Sequence, residues 1–84
     1  MPPARRSKPR SPEHAALGEA IRTMRLEQGL SQEQLAEYAG TDLTQVGGIE
    51  RGVRNPSYTT LLRFADALET TVGEIATLAD ELRE

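Results

Sequence analysis

Three groups of residues in this 84-residue chain could do chemistry. In each the chemistry is hydrogen bonding or charge pairing, not bond making. Arg51, Arg54 and Asn55 stand close together in a chain of net charge −3, and an anionic partner explains them economically. Gln32, Thr44 and Gln45 offer amides and a hydroxyl suited to polar edges. Arg5, Arg6, Lys8 and Arg10 fall within the first twelve residues, with no acid among them. Groups for covalent or metal chemistry are scarce. There is no cysteine, hence neither a disulfide framework nor a thiolate metal site. The single histidine, His14, has no second ligand or nucleophile near it in sequence and reads as a solvated residue of a helix's first turn. No His, Cys or paired-carboxylate cluster is spaced for an active site. An enzyme is therefore not expected, nor a metal or cofactor.

Helices must position these groups, since every regular segment has helical spacing and none alternates with period two. Residues 31–52 are the most informative. Ser31 can cap a helix, with Gln34 closing a capping box three residues later. Leu35, Ala36 and Ala39 form its apolar stripe, and Gly40 can take the left-handed conformation that ends it. Asp42 opens a second helix, with Gln45 as a second box. Val46 and Ile49 give that helix an apolar side, and Gly52 closes it. Two helices this short, joined by so tight a turn, spell a helix-turn-helix, whose second helix lies in the DNA major groove.

The surrounding segments complete an all-α, compact five-helix bundle. Helix 1 has Ser11 as its cap and Pro12 in its first position. It runs to about Gln28 on a stripe of Leu17, Ala20, Ile21 and Met24, and stops at Gly29. Leu30 packs under the following turn. After the loop at 51–57, where Pro56 blocks continuation, Ser57 caps a helix that buries Leu61, Phe64, Ala65 and Leu68. Thr71 and Glu74 box the last helix, which carries Val72, Ile75, Leu78, Ala79 and Leu82. The predicted organisation is a disordered, basic, proline-rich arm at 1–11 and one domain at 12–84.

Charge is unevenly placed. The arm's four basic residues leave 6 basic and 13 acidic groups beyond it, a domain charge of −7. An acidic domain is unusual for a DNA binder. The arm reads either as a tail lying on phosphates or in a minor groove, or as a solubilising leader. No apolar run is long enough to span a membrane, and the N-terminus lacks the apolar region of a secretory signal. A cytoplasmic protein is expected, and with the chain ending at Glu84, no effector domain.

With these residues laid out, the chain resembles the Xre/Cro family of bacterial and phage helix-turn-helix repressors over about residues 17–75. The landmarks are LeuGlyGluAlaIleArgThrMetArg at 17–25, GlyLeuSerGlnGluGlnLeuAla at 29–36 and AlaGly at 39–40. IleGluArgGly at 49–52, ArgAsnProSer at 54–57 and ThrLeuLeuArgPheAlaAspAlaLeu at 60–68 complete the set. The resemblance implies a phage-repressor-like DNA-binding domain with helix 3 as recognition helix. It also implies double-stranded DNA as partner and a homodimer on a palindromic operator.

Roles for individual residues follow from that resemblance. Gln32, at the start of helix 2, is expected to contact a phosphate, as free amides at a helix start allow; otherwise it is simply exposed. Leu43, Thr44, Gln45 and, one turn on, Gly48 are expected to face base edges. Leu43 would pack on a thymine methyl, and Gln45 would pair bidentately with adenine unless it caps toward Asp42. Arg51, Arg54 and Asn55 are expected to reach flanking phosphates, the bland reading being surface arginines without function. Arg25 and Glu50 are expected to form a structural ion pair. Gly47 and Gly48 depart from the family pattern, at about 1 kcal/mol each relative to alanine in a helix interior. Either the backbone approaches the DNA closely there, reading groove shape, or binding is weak.

Leu62, Ile75, Leu78 and Leu82 are expected at a dimer interface, unless they finish the monomer's own core. Two functions remain open: a stand-alone transcriptional regulator, such as a phage-type repressor or a restriction–modification controller, and an antitoxin or similar protein-binding module that also binds its own promoter.

Overall fold

The computed structural model describes residues 8–83. Arg5 and Arg6 therefore lie outside the described residues. Five helices follow one another: α1 (Pro12–Glu27), α2 (Gln32–Ala39), α3 (Leu43–Glu50), α4 (Tyr58–Ala67) and α5 (Val72–Leu82). The all-α bundle with a helix-turn-helix at α2–α3 is the architecture that the apolar spacing and caps predict.

Each helix starts where a short polar side chain takes up a leading amide. Ser11 accepts from the His14 amide, Asp42 from Gln45, Ser57 from Thr60 and Thr71 from Glu74. At α2 the capping box is complete: Ser31 Oγ accepts from the Gln34 amide at 3.0 Å, and Gln34 Oε1 accepts from the Ser31 amide at 2.8 Å. The boxes expected at Asp42 and Thr71 form only by half. Gln45 Oε1 accepts instead from the Arg54 guanidinium, a charged donor that outcompetes a neutral amide. Glu74 Oε1 accepts from the Thr70 hydroxyl at 2.6 Å.

The ends of α1 to α4 follow one scheme. At α2 the left-handed Gly40 (φ 70°) lets the Thr41 amide reach back to the Ala36 carbonyl. The end of α4 has the same pattern, Thr70 amide to Ala65 carbonyl, but Glu69 occupies the left-handed position at φ 58°. No glycine marks that end in the sequence.

The core is built from Ile21 of α1, Leu35 of α2, Val46 and Ile49 of α3, Phe64 and Leu68 at α4 and Ile75 of α5, all fully buried. Around them α1 packs on α3 and α5, while α2 packs on α3 and α4. Gly18 permits the α1–α3 approach, because a Cβ there would collide with the carbonyl oxygens of Ile49 and Glu50. Sequence reasoning missed this position, since nothing local distinguishes a close-approach glycine from any other helical glycine.

Candidate nucleic-acid interface

Helix α3 is held from below and open above. Val46 and Ile49 anchor it in the core, and its last residue, Glu50, is fixed by a bidentate ion pair. Arg25 Nε donates to Glu50 Oε2 at 2.6 Å and Arg25 Nη2 donates to Oε1 at 3.0 Å, with both side chains buried. Arg25 Nη1 also donates to the Leu30 carbonyl at 2.8 Å, which ties down the turn before α2. Gln32 Nε2 donates to Glu50 Oε1 at 2.9 Å. One buried carboxylate thus joins α1, the start of α2 and the end of α3. Such a group is stable only when its lone pairs are taken up, and among the described residues no buried side-chain nitrogen or oxygen lacks a partner.

Gln32 therefore sits at the head of α2 with its side chain turned to Glu50. A phosphate there would meet the leading backbone amides of α2 and the positive end of its dipole.

The open side of α3 begins with Leu43 and Thr44, both exposed, Leu43 at 46%. Gln45 is half-buried beside them. Beyond Gln45 the picture departs from expectation. Gly47 and Gly48 are buried, and what covers them is arginine. A Cβ on Gly47 would lie 2.9 Å from Arg51 Nη1. One on Gly48 would lie 2.5 Å from Arg54 Cδ, 2.7 Å from Cγ and 2.9 Å from Nε. Gly48 thus does not itself face outward as a base-edge residue. The stem of Arg54 fills that space, and the Arg54 guanidinium donates to Gln45 Oε1 at 3.0 Å. Capping toward Asp42 and pairing with adenine were the two roles foreseen for the Gln45 side chain; the structure shows a third, bonding to Arg54.

Arg51, Arg54 and Asn55 are all exposed at the end of α3. The described start of the basic arm joins them, because the Arg10 amide donates to the Gly52 carbonyl at 2.8 Å. Arg10 and Lys8 are exposed there. The start of the described chain is thus tied to the loop that carries Arg51 and Arg54.

Of the residues expected at a dimer interface, Leu62 (40%) and Leu82 (44%) are exposed and Leu78 is half-buried against the core. Ile75 is a correction: it is 1% exposed, because α5 turns it inward onto the monomer's own core. Tyr58, one turn before Leu62 on α4, is also exposed, at 66%, and extends that apolar surface. A spacing of four residues puts the two on one helix face.

Among the described residues no group of His, Asp or Glu could hold a metal ion, and no helix is long and apolar enough to cross a membrane.

This combination of fold and exposed helix defines a class, and comparison with known proteins agrees. The model of the helix-turn-helix family matches residues 21–75, and the chain belongs to that family of Xre-like DNA-binding transcriptional regulators. Within it the chain is similar to control proteins. It is 44% identical over 61 residues to the control protein C.SmaI of Serratia marcescens, covering 73% of either chain. It is 40% identical to the restriction-modification controller protein C.AhdI of Aeromonas hydrophila, whose structure superposes with a TM-score of 0.76 over 77% of this chain and 98% of that one. A third similar structure is the restriction-modification controller protein C.Esp1396I, a tetramer in complex with its natural 35 base-pair operator. It is 29% identical, with a TM-score of 0.79 over 87% of this chain and 96% of that one.

Proposed function

We propose that this chain is a cytoplasmic controller-type transcriptional regulator that binds a palindromic operator as a homodimer, with α3 in the major groove. The observation that carries the reading is the joining of the exposed head of α3 to Arg51, Arg54 and Asn55 on one open edge, above a scaffold locked by Arg25, Glu50 and Gln32. In this reading Leu43, Thr44 and the Gln45–Arg54 pair meet the base edges. Arg51, Asn55 and the leading amides of α2 meet phosphates, with Lys8 and Arg10 extending that contact. The similarity to two restriction-modification controllers, one of them recorded as a tetramer on its operator, supports both the DNA target and the assembly.

A single α3 of eight residues covers only a few base pairs, so two copies are needed for a useful site. Leu62 and Leu82, with Tyr58, supply exposed apolar surface for the contact. Unbiased selection of bound duplexes, with footprinting and stoichiometry on the winner, tests the reading. The expected result is two inverted half-sites about 34 Å apart, one turn of duplex, with two chains per pair. Recovery of no enriched sequence would contradict it. Leu62→Glu should leave the monomer folded and lower the affinity for the full palindrome.

A further inference from the structure

We propose that Gly48, Gln45 and Arg54 form one composite reading unit that selects guanine, not adenine, at the base pair it faces. The inference rests on the DNA-binding reading above and deepens it.

Three contacts fix Arg54. Its backbone amide donates to the Gly48 carbonyl at 3.2 Å, beside the bond from the Val53 amide at 2.9 Å. Its stem crosses Gly48 where a side chain would otherwise stand. Its guanidinium reaches Gln45 Oε1 at 3.0 Å. Gln45 and Gly48 are three residues apart and so lie on one face of α3. The arginine therefore runs back along that face, from the C-terminal end of the helix toward its head. A side chain donated by the following loop supplies the long polar group that the sequence of α3 lacks. Gly48 is the positioning residue of this arrangement, because any Cβ there occupies the space of the Arg54 stem.

The hydrogen-bond inventory decides the base. Gln45 alone offers an acceptor and two donors, the set that matches adenine N6 and N7. Arg54 takes one of the two lone pairs of Oε1 and holds that oxygen against the guanidinium, which works against the side-by-side Oε1 and Nε2 pairing that adenine needs. The guanidinium itself is donor-only. Donors from the guanidinium and from Nε2 fit guanine, which presents O6 and N7 as adjacent acceptors, and are opposed by the N6 amino group of adenine. Holding the guanidinium before DNA arrives reduces the rotamer freedom lost on binding.

The test uses the full chain, duplex selection and affinities on the selected duplex and on its guanine-to-adenine variant. Wild type should enrich guanine at one position of each half-site and discriminate against adenine there by roughly ten- to a hundred-fold. Gly48→Ala should keep its circular dichroism and melt at or above the wild-type temperature, since alanine is the better helix former. It should nevertheless lose most of the discrimination, as Arg54→Ala does. The double variant Gly48→Ala/Arg54→Ala should be no worse than Arg54→Ala alone, which separates positioning from a structural effect. Retained discrimination in Gly48→Ala, additive losses in the double variant, or adenine at the selected position would overturn the inference while leaving DNA binding intact. Failure of wild type to bind any duplex would overturn both readings.

Discussion

The two helices of the motif are equal in length and open on the same kind of cap, yet they obtain their working surfaces differently. Helix α2 is self-sufficient. Its capping box is complete, its stripe of Leu35, Ala36 and Ala39 is buried, and its terminating glycine is the next residue. Helix α3 depends on other parts of the chain. Its box is half made, its interior contains two glycines, and its last residue is held by Arg25 from α1 and Gln32 from α2. Even its exposed face is completed by Arg51 and Arg54, which lie beyond its end. A helix specified by local signals serves as support, whereas one specified by long-range contacts carries the surface that meets the partner. Fixing α3 from a distance leaves its outward face free of residues needed for its own stability.

The contrast can be broken most severely at the long-range tie. Arg25→Ala should destabilise the fold by about 3–5 kcal/mol, because Glu50 is left buried and unpaired; urea denaturation measures it. Leu35→Ala tests the self-sufficient side and should cost about 2–5 kcal/mol by opening a cavity beneath α2. A thermal melt no different from wild type would contradict that assignment. The two glutamines at the third position of each helix sharpen the comparison. Gln34→Ala should cost about 1 kcal/mol as half of the complete box is lost. Gln45→Ala should stay within about 0.5 kcal/mol of wild type in stability, as substitutions outside the core do, while changing the operator preference. Equal stability losses for the two would show that Gln45 is a cap after all.

Legibility in the sequence divides along the same line. What depends on neighbours in sequence was visible: Ser31 with Gln34, Gly40 after Ala39, Pro12 after Ser11, and the stripes that locate all five helices. What depends on packing was not. Gly18 is an ordinary helical glycine until α3 is brought against it. Glu69 ends α4 in a left-handed conformation without a glycine to announce it. Ile75 belongs to a periodic stripe whose inward direction only the assembled bundle decides. The partnership of Arg54 with Gly48 and Gln45 spans nine residues and a turn, beyond any helical periodicity. The glycine pair was legible as an anomaly, and in the structure the side chains of Arg51 and Arg54 lie over it.

The open edge of α3, with the cations that follow it, is proposed as a surface for duplex DNA. Salt dependence on the selected duplex tests this most directly. The logarithm of affinity should fall linearly with the logarithm of salt concentration, at about 0.9 per phosphate neutralised, and Arg51→Ala should reduce the slope by about one such unit. An affinity indifferent to salt, or a slope unchanged when Arg51 is removed, would contradict it.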